Sequence, residues 1–160
     1  MTFPSPPAGW TMLHVDGSFN RRSAHMSCGG LLQNHEGVWI VGFASFEGIG
    51  EAFLAELIAV IRGLRLAWQQ GIRKLLCYSD CMEVVDALSE NRSHNLYSYA
   101  AFLSEAKNLL HQDWEVTLLH KPRELNLPAD ALAKIGMGLR IEFSMWRTPP
   151  PEVVNLVGCG

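Results

Sequence analysis

Four acids occupy positions in this sequence of 160 residues where an acid needs explaining. Asp16 follows an apolar run in His14-Val15-Asp16-Gly17-Ser18, and Glu56 interrupts the apolar stripe Leu54-Ala55-Glu56-Leu57. Asp80 closes Leu75-Leu76-Cys77-Tyr78-Ser79-Asp80, and Asp130 lies in Pro128-Ala129-Asp130-Ala131-Leu132-Ala133. Taken singly, Asp16 serves as a turn residue before Gly17, Asp80 as a cap for the helix that follows, and Asp130 as a complement to a helix dipole. Glu56 is harder to explain, because it breaks a core-facing stripe. Taken together, four carboxylates cannot share a small volume unless cations neutralise them. Oxygen donors without a Cys or His cluster suit Mg²⁺ or Mn²⁺ rather than zinc. Two such ions about 4 Å apart form a clamp for in-line displacement at phosphorus. That chemistry is phosphodiester hydrolysis.

Positioning the four acids is the work of the elements between them. Trp10 to Val15 reads as a strand ending at Asp16-Gly17, and a second strand lies near Ser27 to Gln33. Asn34-His35-Glu36-Gly37 turns the chain into a third, Val38 to Phe46, giving an antiparallel meander. The period then changes: Leu54, Leu57, Ile58, Ile61, Leu64 and Trp68 mark an amphipathic helix from Glu51 to Gln70, stopped by Gly71. Ile72 to Ser79 predicts a buried strand parallel to the first, followed by helices at Met82 to Leu88 and Tyr97 to Leu110. Trp114 to His120 is the last strand, and Pro128 suits the first turn of a closing helix carrying Ala129 to Ile135. The order predicts an α/β domain with a mixed five-stranded sheet and helices on its faces. If the first and fourth strands are adjacent, Asp16 and Asp80 share one region of the sheet. The long helix then lowers Glu56 onto it, and the last helix brings Asp130.

Composition narrows the classes. At 48% apolar and 18% charged residues, the chain is excluded from the disordered class. A net charge of −3 and a pI of about 6.0 argue against a polybasic binder, while leaving recognition of a polyanion through bound metal. No apolar run is long enough to span a membrane, and the start lacks the pattern of a signal peptide. Cys28, Cys77, Cys81 and Cys159 form no zinc or disulfide pattern, so reduced thiols in an intracellular protein are expected, nucleus or cytoplasm unresolved. Gly48-Ile49-Gly50 lacks the third glycine of a dinucleotide loop, and no small-molecule organic cofactor is expected. Residues 1–9 form a Pro-rich lead-in, 10–140 the domain, and 141–160 a Pro-containing tail in which Val153 to Val157 can pack back; a monomer is expected.

Asp-Gly-Ser, Ala-Glu-Leu, Tyr-Ser-Asp and then Arg-Glu-x-Asn-x-x-Ala-Asp-x-Leu-Ala, in that order, resemble type 1 ribonuclease H, and most closely the reverse transcriptase-like ribonuclease H domains of plant retroelements. The resemblance runs from about Trp10 to Met137. It implies a ribonuclease H-like fold and hydrolysis of the RNA strand of an RNA–DNA hybrid, leaving 5′-phosphate and 3′-hydroxyl ends. It further implies that two Mg²⁺ (or Mn²⁺) ions are held by Asp16, Glu56, Asp80 and Asp130, with Asp16 bridging them. His120, ten residues before Asp130, matches a mobile His that assists proton transfer or product release; otherwise it is a strand-end His facing solvent. Asn20, Arg123 and Asn126 are the implied substrate contacts. Two departures stand out. The stretch before Glu56, Glu51-Ala52-Phe53-Leu54-Ala55, holds no Asn or Gln to read the 2′-hydroxyl that tells RNA from DNA, and Cys81 replaces the small polar residue after the third acid. Of the five basic residues between 120 and 147 (Lys121, Arg123, Lys134, Arg140 and Arg147), those near the acids are the candidate phosphate contacts, and they form no dense basic strip. The alternative is a retroelement-derived nucleic-acid-binding or interaction domain with weak or lost nuclease activity.

Overall fold

The structure, a computed structural model, describes residues 5–89 and 97–157. Cys159 and the outer ends of the lead-in and tail lie outside the described residues. The strands are β1 (Thr11–Asn20), β2 (His25–Gln33), β3 (Trp39–Ile49), β4 (Lys74–Ser79), β5 (Glu115–His120) and β6 (Ser144–Trp146). The helices are α1 (Ala52–Gln69), α2 (Met82–Ser89), α3 (Ala100–Leu110), α4 (Leu127–Leu139) and α5 (Pro151–Val154), with single 3₁₀ turns at Tyr97–Tyr99 and Arg123–Leu125.

One sheet holds all six strands in the order β5-β4-β1-β2-β3-β6. β1, β2 and β3 form the antiparallel meander, while β4 runs parallel to β1 and β5 parallel to β4. The sheet thus has six strands rather than five. The extra strand, β6, pairs antiparallel with β3 from Gly42↔Trp146 to Ala44↔Ser144, and three residues are too few to display a period-2 pattern. β1 also continues past the acid at which the sequence predicts its end. The hairpin with β2 pairs Asp16↔Gly29 and runs on to Asn20↔His25, so Asp16 sits inside a ten-residue strand rather than at a turn.

The alternation of β1 divides the molecule into two cores. Leu13 and Val15 face α1 and join Phe43, Leu57, Val60, Ile61 and Leu64, all buried. The opposite face, to which Asp16 belongs, is covered by α4, where Leu31, Ala129, Leu132 and Val153 form a smaller buried cluster. α1 is held down at its middle by an ion pair, with Arg62 donating to both carboxylate oxygens of Glu47 on β3 at 2.9 and 3.1 Å.

Two glycines set how closely the helices approach. A Cβ on Gly17 would fall inside the backbone of Ala55 and Glu56 of α1, and one on Gly29 would fall inside the backbone of Leu132 and Ala133 of α4. Ser27 fastens the second approach by donating from its hydroxyl to the Ala133 carbonyl at 2.6 Å. Gly29→Ala therefore meets helix backbone and the Leu132 Cβ fixed to it, with no flexible side-chain end to push aside, and must lift α4 off β2. A loss of about 3 kcal/mol is expected, at the upper end for overpacking. Urea unfolding of the variant beside its parent measures it.

Candidate metal centre and cleft

The acids come together where β1 and β4 run side by side. The parallel register ends at Val15↔Ser79, so the next residues of the two strands, Asp16 and Asp80, are neighbours. Glu56 is delivered by the Gly17 contact, and the Gly17 backbone N–H donates to its carboxylate. Carboxylate oxygens of Asp16, Glu56 and Asp80 all lie within 4.8 Å of one another. Asp130 enters from the first turn of α4 and is hydrogen-bonded to Asp16. All four line one cleft of about 580 Å³.

This packing is costly without a cation. Burial, then the charges of Glu56 and Asp80, then hydrogen bonds to Glu56 and Asp130 hold the Asp16 carboxyl far above the usual carboxylate range. Burial and the charge of Asp80 push Glu56 up to about 8, against the hydrogen bonds from Gly17 and Asp16 that favour its charged form. Two of the cations that line the cleft go to Asp130: Lys134 Nζ lies 2.9 Å from Oδ2, and Arg123 Nη2 lies 4.0 Å from Oδ1. A trio of carboxylates with no nitrogen or sulfur donor among them fits a hard divalent ion such as Mg²⁺ or Mn²⁺.

The other implied site residues fall in different places. Arg123 lines the cleft and is mostly exposed. Asn126 is fully buried, and its Nδ2 donates to the carbonyl of Val15 at 2.8 Å. It ties the start of α4 to the strand carrying Asp16 and presents no face to a substrate. Asn20 accepts from the backbone N–H groups of Arg22 and Ser23 at the β1–β2 turn, an exposed turn role outside the lining of the cleft. His120 ends β5 beside Ser79 and is likewise not part of that lining. Of the five basic residues noted between 120 and 147, Lys134 and Arg123 reach the cleft. Lys121 Nζ instead sits 3.0 Å from His14 Nδ1 and over the Tyr78 ring, while Arg147 donates to Gln70. One lining residue, Arg21, escapes sequence reasoning. It comes from the same turn as Arg22, and only the path of the hairpin distinguishes the two.

In the stretch before Glu56, Phe53 packs against Tyr99 with ring centroids 5.2 Å apart, and Ala52 alone lines the cleft together with Glu56. Cys81, Met82 and Glu83 continue the wall after Asp80.

Strand order and acid placement define a ribonuclease H-like α/β protein. A family profile described as reverse transcriptase-like matches residues 14–136, and the chain belongs to that family. An Arabidopsis thaliana protein provisionally named as a ribonuclease H is 29% identical over 153 residues, covering 96% of this chain and 24% of its own length; the chain thus spans about a quarter of that relative. The fold is similar to RNase H1 from the archaeon Halobacterium salinarum, with a TM-score of 0.76 at 22% identity over 81% of this chain and 98% of that one. It is also similar to the N-terminal RNase H domain of a Mycobacterium tuberculosis protein (0.73, 20%, 81% and 94%) and to LC11-RNase H1, solved in complex with an RNA/DNA hybrid (0.68, 17%, 81% and 98%).

Raised acids make the metal-free protein sensitive to pH in a stated direction. Folded Asp16 and Glu56 hold protons more tightly than the unfolded chain does, so their contribution to stability is full below the ordinary carboxylate range. It is lost as pH climbs towards the Glu56 value of about 8. In EDTA the melting temperature should fall between about pH 5 and pH 8, and Mg²⁺ should raise it more at the upper end, where protons no longer compete. Differential scanning fluorimetry across that range checks both signs.

Proposed function

We propose that this chain hydrolyses the RNA strand of RNA–DNA hybrids, using divalent ions held by Asp16, Glu56, Asp80 and Asp130. The observation that carries the reading is the trio of Asp16, Glu56 and Asp80 carboxylates within 4.8 Å, open to a cleft, with Asp16 and Glu56 held above the usual carboxylate range, in a fold of the ribonuclease H kind. Bound there, two Mg²⁺ or Mn²⁺ ions would supply water activation and charge neutralisation at phosphorus. Asp16 interacts with Glu56, Asp80 and Asp130 alike and would hold the ions together with them.

The remaining roles belong to the chain. Arg123 and Lys134 flank Asp130 and are placed to meet phosphate oxygens at the cleft, and Arg21 does so from the hairpin. Among the described residues these three cations line the cleft, so few counterions would be released on binding and affinity would rest on the divalent ions more than on the protein surface. Attack of water at phosphorus with departure of the 3′-oxygen leaves a 5′-phosphate and a 3′-hydroxyl. His120, at the end of β5, is the residue whose movement would serve proton transfer or product release. The second reading, a nucleic-acid-binding domain with weak chemistry, draws on the stretch before Glu56, where Phe53 turns inward and no amide side chain is available to read a 2′-hydroxyl.

Labelled RNA–DNA hybrid, RNA duplex and DNA duplex, each with Mg²⁺ and with EDTA, separate the two. Cleavage of the hybrid alone and only with Mg²⁺ is expected; binding without cleavage supports the second reading. Asp80→Asn keeps the shape and removes one anionic ligand, so hydrolysis should fall about a hundredfold or more, by analogy with losing one key electrostatic group. Equal rates at saturating Mg²⁺ count against the metal assignment. His120→Ala should retain Mg²⁺ affinity and lose much less activity than Asp80→Asn; a dead enzyme gives it a more central part, and an unchanged one returns it to a solvent-facing strand end.

A further inference from the structure

The family match ends at residue 136, yet the chain beyond it is built into the domain. The Phe46 N–H donates to the Ile141 carbonyl at 2.7 Å, and β6 then extends the sheet at β3. The indole of Trp39 donates to the Trp146 carbonyl at 3.1 Å. After the prolines, α5 turns Val153 into the smaller core, where it is fully buried with Leu31, Ala129 and Leu132. Leu156 and Val157 follow and line a small cavity together with Asn126 and Pro128 from the first turn of α4.

Asp130 depends on that same turn. Its backbone N–H donates to the Asn126 carbonyl at 3.2 Å, and its neighbour Ala129 is one of the residues against which Val153 packs. Asn126 ties the turn to β1, and the segment closes over it from the far side. We infer that residues 141–157 form a strap that seats the first turn of α4, and that Val153 is a positioning residue for Asp130. The strap gives α4 a second surface to press against, so that Asp130 is held in hydrogen-bond reach of Asp16. In its activity readout this inference rests on the proposed hybrid nuclease; in its structural readout it does not.

The test compares Val153→Ala with Val41→Ala, an equal truncation of a fully buried valine in the α1-side core on β3. Val153→Ile serves as the conservative rescue. All are studied in the full chain at a temperature where circular dichroism finds each folded. Val153→Ala is expected to speed amide exchange at Asp130 and its neighbours in α4 at least fivefold over Val41→Ala. It should also weaken Mg²⁺ binding at least threefold by calorimetry and lower kcat on hybrid with KM unchanged. Val41→Ala should lower the melting temperature alone, and Val153→Ile should behave as the parent. If Val153→Ala merely lowers the melting temperature, with exchange in α4 and Mg²⁺ affinity matching Val41→Ala, the strap has no positioning role. Should the parent itself bind no divalent ion, the nuclease reading fails, and amide exchange in α4 still decides the strap.

Discussion

Carboxylates repel, and this fold spends much of its packing on forcing four of them together. Asp16 is the centre of the arrangement because β1 is the centre of the sheet's polarity, antiparallel to β2 on one side and parallel to β4 on the other. The parallel partner supplies Asp80 by register alone. The other two acids arrive on helices, and each helix backbone comes close to a strand where a side chain is missing. Gly17 admits α1, and Gly29, the direct partner of Asp16, admits α4. Anything larger at either point separates the acids, and separation removes both the repulsion and the cluster that could hold a divalent ion.

Repulsion of this kind needs fasteners that do not depend on the acids themselves. On the α1 side they are the Arg62–Glu47 pair and a large apolar core. On the α4 side the buried cluster is small, and hydrogen bonds across the fold reinforce it: Ser27 to Ala133 and Asn126 to Val15. The second of these joins the residue before Asp16 to the residue that begins the helix of Asp130. The contrast accounts for the larger share of polar fastening at α4, where less apolar area is available to hold a helix against a charged neighbour.

Electrostatically the cleft is lopsided. Its floor is anionic, and its rim carries the few cations of Arg21, Arg123 and Lys134, in a chain whose net charge is −3. Bare, such a cleft repels a polyanion; with divalent ions on its floor it attracts one. On the proposed function, substrate binding and metal binding would be coupled through the same carboxylates, and the raised values of Asp16 and Glu56 would extend that coupling to protons.

The sequence by itself determined the identity of the acids, the order of the elements and the meander followed by parallel strands, because these are written in local patterns. An acid inside an apolar run, a change of period from 2 to 3.6, and a proline at the start of a helix are each visible within a few residues. Tertiary structure alone decided the rest. Asn126 has the position of a substrate contact in the motif, but its partner is Val15, 111 residues away, and that bond makes it a fastener. Asn20 is captured by its own turn, and Lys121 by His14 across the sheet. β6 exists because the edge of β3 is there to pair with it, not because Ser144–Trp146 has a strand's pattern. Glycines at 17 and 29 look like any others until a helix backbone is found lying on them. These features depend on which surfaces meet after folding, and distances between residues remote in sequence leave no periodic trace along it.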